Sequence, residues 1–96
     1  MAQKSLAARK VKSPQSSLSE ARLLIGSRVR EARLGCGLSQ RALAEALYCD
    51  QATISRIENG ILAPDIAQIK VMSGVFQLSV LWLMGYPSFV VHATQD

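Results

Sequence analysis

The stretch from Gln40 to Asn59, QRALAEALYCDQATISRIEN, leaves the chain few ways to fold. Ser39 stands just before it and Asp50 interrupts it, two side chains suited to accept from the free amides at a helix start. Apolar residues recur at three- and four-residue intervals on either side: Leu43, Ala44 and Leu47 first, then Ile54 and Ile57. Asn59-Gly60 closes the second run, the glycine suited to a left-handed helix end. Two helices this short, joined by a tight turn, must pack at a steep angle. Small Ala44 permits the close approach, while Leu43, Leu47, Cys49, Ile54 and Ile57 fill the angle. Gln51, Ala52, Ser55, Arg56 and Asn59 are then left on the outer face of the later helix, at spacings of one, three and four residues. That face is polar or small, as a helix lying in a DNA major groove requires. Glutamine can pair with adenine, arginine with guanine, and alanine can meet a thymine methyl.

The flanking sequence supplies three more helices. Ser19, followed by Glu20, reads as the cap of a first helix carrying Ala21, Ile25, Val29 and Ala32 along one side and stopping at Gly35-Cys36-Gly37. Pro64-Asp65 opens a fourth, with Ile66, Ile69, Met72 and Phe76 as its core side. Ser79 caps a fifth, Val80 to Met84, ended by Gly85 and Pro87. Only Ser88 to His92 alternates in a way that could suit a strand. The expected fold is all-α, a compact five-helix bundle spanning residues 19–85, with a basic N-terminal arm over 1–18 and a short tail over 86–96.

Charge is distributed unevenly. Lys4, Arg9, Lys10 and Lys12 all precede the first acid, Glu20, so the net charge of +4 resides in the arm and the remainder is balanced. Any affinity of the folded part for DNA therefore depends on where its charges point. The arm itself is expected to track the DNA backbone or a minor groove beside the site. No apolar run is long enough for a membrane span, and no apolar stretch follows the basic start, so the expected location is cytoplasmic. Two cysteines and one histidine are too few for a structural zinc site. Cys36 and Cys49 bracket a helix about 15 Å long, too far apart for a disulfide within one chain. No nucleophile–base arrangement, paired acids or phosphate loop is present, so neither catalysis nor a cofactor is expected.

In order and spacing, GLSQ (Gly37 to Gln40), LAEAL (Leu43 to Leu47), TISRIENG (Thr53 to Gly60), Pro64 and LSVLWLMG (Leu78 to Gly85) resemble the Cro/repressor type of helix-turn-helix regulators. The resemblance covers about Ile25 to Gly85. It implies the phage-repressor DNA-binding fold, with the helix-turn-helix at helices two and three. It implies base reading by Gln51, Ala52, Ser55 and Arg56, phosphate contacts from Gln40, Arg41 and Asn59, and a structural ion pair between Arg33 and Glu58. Two departures stand out. Tyr48 occupies a turn position where the family usually has glycine. Val71, Gly74 and Leu81 stand where the family tends to carry polar or charged residues.

Those residues suggest a homodimer. Val71, Gly74 and Val75 form a second stripe on the fourth helix, continued by Leu81 and Trp82 on the fifth, and a domain this small reads too few base pairs alone. The reading is thus a transcription regulator, a repressor on a palindromic operator in double-stranded DNA. The alternatives are an antitoxin, with a toxin protein as partner, or a restriction–modification controller.

Overall fold

The computed structural model describes residues 14–87, which fold into five helices: α1 (Pro14–Gly35), α2 (Gln40–Ala46), α3 (Gln51–Glu58), α4 (Ile66–Phe76) and α5 (Val80–Leu83). Among the described residues there is no strand. Every helix contributes to one core: Val29 and Ala32 from α1, Leu43 and Ala44 from α2, Ile54 and Ile57 from α3, Ile69, Met72 and Phe76 from α4, and Leu83 from α5. Ile25, Leu38, Leu47, Cys49 and Trp82 pack around its margin. The expected strand at Ser88 to His92 and most of the arm lie outside the described residues.

Side-chain caps set the starts of four helices. The side chains of Ser39, Asp50, Asp65 and Ser79 accept from the first free amides of α2, α3, α4 and α5. At α4 the exchange is reciprocal: Gln68 Oε1 accepts from the Asp65 amide while Asp65 Oδ1 accepts from the Gln68 amide. The helix ends use left-handed residues. Gly60 follows α3 with φ 75°, and Gln77, a non-glycine at φ 57°, ends α4. Between α2 and α3 the chain turns through Tyr48 at φ 55°, closed by Cys49 N–H donating to the Ala44 carbonyl at 3.0 Å.

Two expectations need correction. α1 begins at Pro14, five residues before the expected cap at Ser19, so the last part of the expected arm is helical. A proline fits the first turn of a helix because no hydrogen bond is required of its nitrogen there. Ser19 lies inside α1, where its Oγ accepts from Arg22 Nη2 at 3.5 Å. Ile66, placed on the core side of α4, is instead 75% exposed. It is the first residue after the Asp65 cap, and the buried apolar residue at that end of the helix is Pro64 in the preceding loop.

Candidate nucleic-acid interface

The outer face of α3 is held in place from behind by α1. Gly26 allows this: a β-carbon there would lie 2.2 Å from the Ile57 carbonyl oxygen and 3.0 Å from that of Glu58. The α1 backbone therefore rests directly on the last turn of α3. Seven residues later on α1, Arg33 reaches Glu58 by two hydrogen bonds, Nε to Oε2 at 2.6 Å and Nη2 to Oε1 at 3.0 Å. Both side chains are buried, with nothing but each other and nearby dipoles to replace water. The hydrogen bond to Glu58 is the main reason the guanidinium is more basic than usual, against the opposing effect of burial. Arg33 Nη1 also donates to the Leu38 carbonyl at 2.8 Å, fixing the α1–α2 loop from which α2 departs.

Glu58 has a further partner. Gln40, the first residue of α2, donates from Nε2 to Glu58 Oε1 at 3.1 Å. Its other amide atom, Oε1, accepts from Gln51 Nε2 at 3.4 Å. Arg33, Glu58, Gln40 and Gln51 thus form one continuous chain of hydrogen bonds from the core to the solvent face of α3. Spacing in the sequence gave no sign that the two glutamines meet. The clue would have been their matching places at the first position of two helices whose starts converge.

On the rest of that face, Ala52, Arg56 and Asn59 are exposed and Ser55 is half-buried. Asn59 Nδ2 donates to Ser55 Oγ at 3.4 Å. Arg41 is exposed on α2, beside Gln40. Opposite this face, Ile54, Ile57 and Glu58 are buried. Asp50 at the start of α3 accepts from both the Thr53 hydroxyl and amide, at 2.6 and 2.9 Å. Those bonds, the hydroxyl's foremost, hold its carboxyl below the ordinary range, with Arg56 adding a smaller attraction.

The stripe on α4 and α5 is divided. Val71, Gly74 and Val75 are exposed, as are Ile61 and Leu62 in the loop before α4. Nothing lies within 4 Å of where a Gly74 β-carbon would be. Leu81 and Trp82 are half-buried. Trp82 packs against the core, and its outer ring face is covered by Arg28 at 4.8 Å from the ring centre. Arg28 Nη1 also donates to the Trp82 and Tyr86 carbonyls at 2.6 and 2.7 Å, tying the end of α5 to α1. This clamp had no signature in the sequence, since the partners are main-chain carbonyls more than fifty residues away.

Among the described residues no group of histidine, cysteine or acidic side chains is placed to hold a metal, and no helix is long and apolar enough to cross a membrane. Both cysteines are free thiols, Cys36 exposed and Cys49 at the core margin, where burial pushes its thiol pKa up.

Two short capped helices meeting at a steep turn, with a polar outer face on the second, define a helix-turn-helix. The helix-turn-helix family model matches residues 29–83, more than half the chain, and the protein belongs to that family, in its Cro/repressor branch of DNA-binding regulators. The fold is similar to the restriction–modification controller protein C.AhdI from Aeromonas hydrophila, with TM-score 0.62 and 25% identity over 68% of this chain and 94% of the other. It is also similar to a hypothetical transcription factor, NHTF, from Neisseria, with TM-score 0.63 and 20% identity over 76% of this chain and 84% of that one. Among curated proteins nothing matches the chain.

Proposed function

We propose that the protein is a sequence-specific transcription repressor that binds a palindromic operator in double-stranded DNA as a homodimer. The observation that carries this reading is the outward row of exposed Gln51, Ala52, Arg56 and Asn59 with half-buried Ser55 among them, on a helix anchored from behind. In the proposed complex Gln51 and Arg56 bond base edges, while Ala52 and Ser55 let the helix lie close to the groove floor. Arg41, Asn59 and the unused amide hydrogen of Gln40 contact phosphates, fixing the register of the helix without reading sequence. The Arg33–Glu58 pair is structural in this reading: it immobilises α3, and Glu58 faces inward, away from the phosphates it would repel. No catalytic step is assigned to any residue.

The homodimer uses the exposed side of α4 with α5. Val71, Gly74 and Val75 lie on it, Leu81 contributes its open half, and Trp82 offers only an edge beside Arg28. Two-fold pairing sets the two α3 helices about 34 Å apart, one turn of DNA. Selection of bound duplexes from a random pool should therefore enrich an inverted repeat with half-sites one turn apart. A single unrepeated motif would contradict the dimer, and no enrichment would contradict sequence-specific binding. Sedimentation gives the companion test. The protein should be dimeric at micromolar concentration, and Val71→Glu, at an exposed position, should render it monomeric without unfolding it.

The similarity to a restriction–modification controller protein favours a second reading, regulation of a linked methylase and nuclease. A gene neighbourhood holding such a pair would decide for it.

A further inference from the structure

We infer that Tyr48, on the turn between α2 and α3, is a contact residue of the homodimer, and that the groove it lines with Ala67 and Val71 of α4 receives the α4–α5 corner of the second copy. The inference rests on the proposed dimer surface and extends it to the helix-turn-helix itself.

Tyr48 and Val71 both depart from the family's pattern, a tyrosine where glycine is usual and a valine where polar or charged residues are usual. The fold brings the two departures together. Leu47 and Tyr48, from the end of α2 and the turn, line an open groove of about 370 Å³ with Ala67, Gln68 and Val71 from the first half of α4. Gln68 directs its Oε1 to the Asp65 amide within the helix cap, so the groove is lined mainly by apolar groups.

Tyr48 holds φ 55°, a left-handed conformation that is costly for a residue with a β-carbon. No packing within the chain offsets that cost, since Tyr48 is 97% exposed. A partner that covered such a ring would remove about 150–250 Å² from water. A strained, uncovered aromatic residue beside an apolar groove points to a contact made outside its own chain.

The second copy is the occupant because the groove opens onto the proposed dimer stripe. Ala67, Val71 and Gly74 follow one another along α4 at spacings of four and three residues, and all three are exposed. In a two-fold interface each end of the shared surface meets the opposite end of the partner's. Gly74, with nothing within 4 Å of where its β-carbon would be, is where two backbones can approach most closely, and it places the axis there. The groove lies on the Val71 side of that axis. It therefore faces the other side in the second copy, the corner between α4 and α5, where Leu78 is exposed and Leu81 half-buried. Dimerisation in this arrangement braces the turn that sets α2 against α3.

The test is sedimentation equilibrium of the full chain as wild type, Tyr48→Gly, Tyr48→Asn and Val71→Glu. Glycine and asparagine both suit a left-handed turn, so each removes the ring without straining the backbone. Both should raise the dimer dissociation constant about tenfold or more, the scale of an aromatic contact at an interface. Neither should lower the urea midpoint in the Val71→Glu background, where no dimer contributes. A ring that only supported its own fold would show the reverse, a lower midpoint and unchanged dimerisation, and the inference would fall. If Val71→Glu gives monomers while both Tyr48 variants dimerise like the wild type, Tyr48 lies outside the interface and the dimer surface stands. If the wild type is monomeric, or Val71→Glu dimerises as tightly, the dimer surface and the inference fall together.

Discussion

Gly26 sits where α1 crosses the last turn of α3, and the atoms that a β-carbon would meet belong to backbone, which cannot swing aside. Gly26→Ala should therefore lower stability by about 3 kcal/mol or more, the upper end of what overpacking costs. Urea unfolding followed by circular dichroism measures it, and a change below about 1 kcal/mol would mean that the two helices do not touch there. None of this was visible in the sequence, where a glycine inside an amphipathic helix reads only as a weak point. Tyr48 is the opposite case. The family resemblance put Tyr48 at a turn position usually held by glycine, and the structure has it there at φ 55°, 97% exposed. Its strain, about 1–2 kcal/mol for a residue with a β-carbon, was signalled only by the glycine that the resembling family usually has at that place.

Between one cap and the next, the same contrast holds for elements. The interiors of α2 and α3, and the core side of α4 from Ile69 onward, follow from apolar spacing, because burial imposes a period that the sequence must display. By contrast, α5 was bounded by its cap and its end, and its buried Leu83 was not singled out. Nor did the start of α1 follow from spacing, since proline and serines suit both a linker and a first helical turn. At α3, the cap itself makes a pH-dependent contribution. Hydrogen bonds from Thr53 hold the Asp50 carboxyl below its ordinary value of 3.8, so the ionised form is favoured by the folded state. That stabilisation is complete above the ordinary carboxylate range and is lost as pH falls through 3.8 and below. Asp50→Asn keeps a side-chain oxygen for capping but cannot titrate. It should flatten this part of the acid limb, read as stability against pH from 6 down to about 2. At α5, only four residues long, the Arg28 clamp takes the place of a long hydrogen-bonded ladder. Arg28→Met should cost about 1–2 kcal/mol, from two charged hydrogen bonds and one ring contact at a partly exposed site. Amide hydrogen exchange should quicken at Leu83 to Tyr86 more than in α3. Equal quickening in both would contradict a local clamp.

Seen as a whole molecule, α1 is the frame on which both working parts are mounted. Gly26 and Arg33 fix α3, the proposed recognition helix, and Arg28, also on α1, fixes α5 at the edge of the proposed dimer surface. Sequence spacing identified which residues face outward on α3 but not how firmly they are held, because firmness comes from partners distant in the chain. The account turns on the division of labour between a residue that reads bases and one that grips the backbone. Affinities of the wild type, Arg56→Ala and Arg41→Ala, measured over a range of salt on the selected duplex and on variants at each base pair, test that division most directly. Arg56→Ala should cost about 1–3 kcal/mol on the selected duplex and relax preference at one base pair. Arg41→Ala should weaken binding to every duplex alike and make the slope of log K against log salt shallower by about 0.9, the worth of one phosphate. If instead Arg56→Ala leaves base preference unchanged and weakens all duplexes equally, the outer face of α3 does not read the groove and the central claim fails.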